Sequence, residues 1–190
     1  ISQGGIRQDN NKYYRREELD GEIENKVQES PIIILEGNTY SGKTRAVFEL
    51  MKNRKEWENY DFHIYDNRHS VKDLNKIRLD FLERERGDVF LFDDINDILN
   101  SEDEINVNSS LWAKLNGYNK NKGFRLSDFG QTRIIFTVSG KLSTAEKDKL
   151  YSKIFHIQDN IEFRTAIKNI IINFDIYDRK SFRYMVDEMV

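Results

Sequence analysis

Cysteine is absent from the sequence, which removes disulfides, thiolate zinc sites and cysteine nucleophiles together. A cytoplasmic setting accords with that absence. No apolar run approaches the roughly 20 residues needed to span a bilayer, so no membrane partner is expected. Charge of one sign is lacking as well. The 30 Lys and Arg nearly balance the 33 Asp and Glu, leaving a net charge of -3. Such a balance gives no general attraction for polyanions, so no direct nucleic-acid partner is expected. The first residues, Ile1-Ser2-Gln3-Gly4-Gly5, have neither an initiator methionine nor a signal-peptide core. We therefore expect a fragment of a longer chain.

What is there describes a folded protein. Aromatics make up 12% of the 190 residues, too many for a disordered chain. That length supports one substantial core and a small appended subdomain. Residues 14–28 read as a charged helix with Leu19, Ile23 and Val27 on one stripe. The single proline, Pro31, closes it and leads into Ile32-Ile33-Ile34-Leu35, a continuous apolar run suited to a central parallel strand. Residues 44–52 follow as a helix carrying Ala46, Val47, Leu50 and Met51. Phe62-His63-Ile64-Tyr65 reads as the second strand. Ser70 and Asp73 form a capping box for a helix ending near Arg86. Val89-Phe90-Leu91-Phe92 is the third strand and ends on Asp93-Asp94.

Residues 101–130 show no clear period beyond a short helix around 110–115. Ile134 to Val138 is a fourth strand, and Ser143 with Glu146 a second capping box. The fifth strand is expected at Ile154-Phe155-His156-Ile157. Two closing helices are expected, one carrying Phe163, Ile167, Ile170, Ile171 and Phe174, the other Phe182, Met185, Val186 and Met189. Strands alternating with helices imply an α/β fold, a three-layer sandwich with a parallel sheet and right-handed crossovers. Ligands then bind beyond the carboxyl ends of the strands.

Gly37-Asn38-Thr39-Tyr40-Ser41-Gly42-Lys43-Thr44 matches the phosphate-loop pattern G-x-x-x-x-G-K-[ST] in full. The loop must wrap phosphates closely, so glycines remove side chains that would block the backbone. Its N–H groups and the following helix N-terminus then face the anion. Lys43 is expected to reach the β- and γ-phosphates of ATP or ADP, and the Thr44 hydroxyl to sit on Mg²⁺. The match also lies between a buried strand and a helix, the context this chemistry requires. Asp93 is the expected second Mg²⁺ residue, acting through water because Mg²⁺ keeps much of its hydration shell. Asp94 is the candidate to orient or deprotonate the attacking water.

Thr137 and Ser139, closing the fourth strand, can place a hydroxyl near the γ-phosphate or simply end a strand. Arg133 opens that strand at its far end and reads as a salt-bridge or subdomain contact. Arg125 reads as a solvated charge, and the run Lys114 to Lys122 as a solvated loop with Tyr118 its only aromatic. His63, His69 and His156 lack metal spacing and read as structural or surface groups. Trp57 and Trp112 read as packing residues.

With these pieces placed, the chain resembles the STAND class of P-loop ATPases, relatives of AAA+ domains that include the NB-ARC and NACHT switches. Tyr14-Arg15-Arg16-Glu17-Glu18-Leu19 is similar to that class's N-terminal "Arg-Glu-x-Glu-Leu" helix, which lies against the adenine. Residues 37–44 followed by Arg45-Ala46 look like the phosphate loop of bacterial members. Phe92-Asp93-Asp94-Ile95 is similar to the Leu-Asp-Asp-Val of NB-ARC domains, and Thr132-Arg133-Ile134-Ile135-Phe136-Thr137 to their sensor strand. Ser139 stands where many members carry a sensor arginine, and no Gly-Leu-Pro motif follows the expected fifth strand. The resemblance implies five parallel strands in the order 5-1-4-3-2. It divides the chain into an N-terminal helix (1–30), a nucleotide-binding core (31–160) and the start of a helical lid (161–190). It also implies effector and sensor domains in the intact protein and an ATP-dependent homo-oligomer.

Three functions compete. One is a switch domain that binds and slowly hydrolyses Mg-ATP within a larger signalling or defence ATPase. A second is a small-molecule or nucleotide kinase, with Arg179 and Arg183 as its lid arginines. The third is a nucleotide-binding module without turnover. A GTPase is disfavoured because no Asn-Lys-x-Asp motif follows the fourth strand.

Overall fold

In a computed structural model of the chain, residues 15–53, 57–66, 86–102, 130–154 and 170–174 are described. Helix α1 spans Glu17–Glu29 and strand β1 Ile32–Gly37. Helix α2, Lys43–Asn53, is followed by β2, Tyr60–Tyr65, and β3, Gly87–Phe92. A short helix α3, Asn96–Asn100, precedes β4, Arg133–Ser139. Helix α4, Thr144–Lys149, runs directly into a π-helical turn, Leu150–Ile154, and β5 is Ile171–Asn173.

The five strands form one sheet in the order β2-β3-β4-β1-β5. Every pairing between them is parallel. The order is the expected 5-1-4-3-2, read from the other edge. β4 therefore stands between β1, which leads into the phosphate loop, and β3, which ends at the two acids. In register, Gly37 lies opposite Ser139, and Phe92 opposite Phe136.

Burial explains why these runs become strands. All six residues of β1 and of β3 are buried, which is why both read as unbroken apolar segments rather than alternating ones. One face of the sheet presents Ile33, Leu35, Val89, Leu91, Ile135 and Ile172 to Leu19, Ile23 and Val27 of α1 and Ala46, Val47 and Leu50 of α2. Each such aliphatic contributes about 1.5–3 kcal/mol on burial, enough to hold α1 despite its charged outer surface. Trp57 joins this cluster and meets the Tyr60 ring edge-on at 4.6 Å. Alternate strand residues point the opposite way. There the Phe92 and Phe136 rings stack at 5.1 Å. Ile95, Leu99, Leu142, Leu150 and Ile154 are buried as well.

The capping box expected from Ser143 and Glu146 is formed. The Ser143 hydroxyl accepts from the Glu146 N–H, and the Glu146 carboxylate accepts from the Ser143 N–H at 2.9 Å. Hydrogen bonds from the Ser143 hydroxyl and backbone hold the Glu146 carboxyl below its usual value. Of the two contacts expected of Arg133, a salt bridge or a subdomain contact, it makes one to the N-terminal helix. Its Nε donates to the Val27 carbonyl at 2.9 Å and its Nη1 to the Gly130 and Thr132 carbonyls. It thus satisfies a carbonyl that the C-terminus of α1 leaves without a helical partner. Burial lowers the Arg133 pKa from its usual value.

The fifth strand corrects the sequence reading. Ile154 closes the π-helical turn instead of opening a strand. The sheet's last strand lies at Ile171–Asn173, inside the segment expected to be the first closing helix. Ile172 is fully buried there, and the strand pairs with β1 from Ile34 to Glu36. The sheet therefore includes residues expected to begin a helical lid. The expected helices after Ser70, around residues 110–115 and at the C-terminus lie outside the described residues. So do Phe155, His156 and Ile157 of the expected strand, and His69, Trp112, Arg125, Arg179 and Arg183.

Candidate phosphate-binding site

β1 ends at Gly37 and α2 begins at Lys43, so the loop between them turns the chain from a buried strand into a helix N-terminus. The turn needs two left-handed residues, Tyr40 at φ 64° and Gly42 at φ 89°. Glycine adopts that conformation freely, whereas for an aromatic residue it is unusual. A Ser41 N–H to Asn38 carbonyl bond of 3.1 Å closes the loop's first half. Lys43 then folds back beneath it. Its Nζ donates to the Gly37 carbonyl at 2.7 Å, the Asn38 carbonyl at 2.8 Å and the Ser41 hydroxyl at 3.2 Å. The side chain is buried.

A cavity of about 350 Å³ opens over this loop, lined by Thr39, Tyr40, Ser41, Gly42, Lys43, Thr44, Arg45, Asp93, Asp94, Thr137 and Ser139. That volume falls within the usual range for small-molecule sites, roughly 300–1,000 Å³. Gly37 and Asn38 stay out of the lining. Gly37 is buried below, its carbonyl also taken by the Gly140 N–H at 2.8 Å, and Asn38 is exposed at the rim. Tyr40 is 96% exposed. Arg45 leans along α2 to pair with Glu49 at 2.6 Å.

The first of the two acids meets the loop through a hydroxyl. The Thr44 hydroxyl donates to Asp93 Oδ1 at 2.5 Å, and the Thr137 hydroxyl donates to the same oxygen at 2.7 Å. Because Thr44 gives its proton to Asp93, its lone pairs stay available to a cation. A hydroxyl and a carboxylate are hard oxygen donors, and two of them suit Mg²⁺, which keeps several waters and takes phosphate oxygens besides. This donor set fits the expected ion. Among the described residues no group of three or more His, Cys, Asp and Glu side chains could hold a metal alone.

Asp94 is turned sharply at the end of β3, with φ 54°. Its N–H donates to the Thr137 hydroxyl at 2.8 Å, so one threonine both fixes this turn and binds Asp93. Asp94 Oδ1 is buried without a hydrogen-bond partner. An unsatisfied buried acceptor costs about 1–3 kcal/mol. Its place in the cavity wall makes it an acceptor open to a bound ligand.

Two contributors escaped the sequence reading. The Asn96 side chain donates to the Ser139 carbonyl at 3.0 Å and accepts from the Ser139 N–H at 2.8 Å, pinning the end of β4. Arg16 donates through Nη1 to the Ser41 carbonyl at 2.9 Å. Arg16 stood only within a motif quoted for its resemblance; Asn96 carried no signal at all.

No protein-family profile matches the sequence, and no curated protein sequence matches it. Solved structures do match the fold. Cdc6p from Pyrobaculum aerophilum is similar over 98% of this chain and 51% of its own, at 14% identity and a TM-score of 0.53. A Walker-type ATPase of Pyrococcus abyssi is similar over 93% of this chain and 57% of its own, at 13% identity and a TM-score of 0.51. The chain thus spans little more than half the length of either. It shares the α/β P-loop-like fold of these structures, with an all-parallel five-stranded sheet.

Proposed function

We propose that the chain is a switch domain that binds Mg-ATP at residues 37–44 and hydrolyses it slowly, as part of a larger cytoplasmic signalling or defence ATPase. The observation that carries this reading is the Thr44–Asp93 contact across the cavity floor. It joins the phosphate loop to the acidic end of β3, the pairing a phosphate-bound cation requires. In this reading the N–H groups of residues 39–45 cradle the phosphates. Lys43 exchanges its loop carbonyls for β- and γ-phosphate oxygens, and a charge-assisted bond to phosphate is the stronger partner. Thr44 and Asp93 hold Mg²⁺, which supplies charge neutralisation for the phosphates. Asp94 offers its unpartnered oxygen to the attacking water and accepts its proton. Thr137 keeps both acids in place.

The wider role rests on the resemblance to STAND ATPases and on fold likeness, which is analogy. It proposes effector and sensor domains and an ATP-dependent homo-oligomer. Nucleotide can switch such an assembly only through contacts that differ between ATP and ADP, here those to the γ-phosphate.

The deciding measurement is ATP affinity by titration calorimetry with Mg²⁺ present. Lys43→Ala is expected to lower it by about 100-fold or more, to the edge of detection, since several charge-assisted bonds are lost. Retained wild-type affinity in that variant removes the assignment.

A further inference from the structure

Arg16 lies at the start of α1, 25 residues before the loop it touches. Its side chain is nine-tenths buried. Three elements hold it. The Asp20 carboxylate accepts from the Arg16 N–H at 2.9 Å and lies 4.0 Å from Nε. The Phe174 ring, just past β5, lies under the guanidinium with its centroid 4.0 Å from Cζ. Phe174 is itself tied to β1 through its N–H and the Glu36 carbonyl at 2.6 Å. The third element is the phosphate loop. Nη1 takes the Ser41 carbonyl, and Nη2, buried without a hydrogen bond, would lie 3.5 Å from a Cβ placed on Gly42. An arginine buried with an unused donor is costly, so its position calls for a function.

Arg16 does not line the cavity; Ser41 and Gly42 do. The peptide joining them is trans, as all described peptide bonds are. Its carbonyl and N–H therefore point in opposite directions. With the Ser41 carbonyl turned out to Arg16, the Gly42 N–H is turned in to the cavity. That N–H takes no hydrogen bond among the described residues. Gly42 is also the residue at which this peptide could rotate cheaply, because glycine tolerates both signs of φ.

We propose that Arg16 is a positioning residue of the phosphate loop, locking the Ser41–Gly42 peptide so that its N–H faces a bound phosphate. The inference rests on the nucleotide reading above and adds to it a device outside the motif. Arg16 couples the loop's anion-binding shape to the seating of α1 and of the residue after β5. Displacing either element would release the lock and weaken the phosphate grip without touching a phosphate contact.

The test compares wild type, Arg16→Met and Arg16→Lys for affinity toward ADP and pyrophosphate, with unfolding midpoints measured without ligand. Met keeps a long stem on Phe174 but cannot donate, and should weaken both ligands by about tenfold or more, the size of one charge-assisted bond. Lys, which still donates, should fall between Met and wild type. Unchanged affinity in Arg16→Met overturns the proposal. So does an equal loss in both variants matched by an equal fall in midpoint, which assigns Arg16 to packing alone. Should Arg16→Met not fold, the wild-type protein decides by amide NMR. The Gly42 N–H resonance should move downfield on titration with pyrophosphate; if it stays still while those of Lys43 and Thr44 move, the lock is refuted. If wild type binds neither ligand, or Lys43→Ala binds as wild type does, the nucleotide reading itself has failed. Loss in Lys43→Ala with none in Arg16→Met removes only the role of Arg16.

Discussion

The two ends of the sheet handle polar groups in opposite ways. At the amino ends of the strands no buried side-chain nitrogen or oxygen of the described residues lacks a partner. Arg133 spreads its donors over three carbonyls. His63 meets the Asp88 carboxylate at 2.8 Å and stacks on Phe90. At the carboxyl ends two buried side-chain atoms are left without partners, Asp94 Oδ1 and Arg16 Nη2, and no other side-chain nitrogen or oxygen of the described residues shares that condition. Lys43 there holds loop carbonyls that a phosphate can displace. Closed polar groups hold a fold together, whereas open ones are kept for something that arrives. The difference separates architecture from chemistry within one sheet.

The comparison can be broken from either end. The largest effect is expected at Asp94, where Asn keeps size and shape but cannot take a proton. ATP turnover should fall by about 10²–10⁴-fold, with affinity close to wild type. A radiolabelled ATPase assay giving equal rates would leave a binding module without turnover as the better description. Arg133→Met should do the reverse. It strands the Val27 carbonyl and should cost about 1–3 kcal/mol of stability in urea unfolding, while ATP affinity is preserved. A loss of affinity with no loss of stability would erase the contrast between the two ends.

The smallest effect lies away from both. Ser143→Ala removes one cap and should cost about 1 kcal/mol. Its pH dependence has a definite sign. The Glu146 carboxyl is held below its ordinary 4.5, chiefly by the Ser143 hydroxyl. Its contribution is therefore present above that value and fades as pH falls through the lower folded-state pKa. The gap in stability between wild type and Ser143→Ala should narrow as pH drops below about 4.5. A gap that widens on acidification would mean that the carboxylate does not strengthen the cap.

What the sequence revealed follows the same division. Residues 32–44 and 89–94 were legible because two demands coincide there: a strand covered on both faces needs unbroken apolar runs, and a phosphate loop needs Gly, Lys and Thr at fixed offsets. β5 was not. Ile167, Ile170, Ile171 and Phe174 fit a helical stripe, yet Ile170, Ile172 and Phe174 fit strand alternation equally well. Three paired residues are too short for periodicity to decide between them. Ile154 misled in the opposite sense, an apolar residue buried at the end of a helical turn. Arg133 was placed at the correct end with a contact to another segment among its two roles, but its actual partner was not legible, because a helix's spare carbonyls leave no mark in the sequence. Arg16 acts across a separation that only the fold can close.

The middle position of β4 has one more consequence. Two inter-strand steps, each about 4.8 Å, lie between the strand feeding the loop and the strand bearing the acids. That interval is a ruler made of backbone, so no side-chain substitution within the strands can lengthen it appreciably. Among the described residues, a response to what is bound is then expected in the loop beyond the ruler's edge and in the first helix on its face, while the graduations stay still.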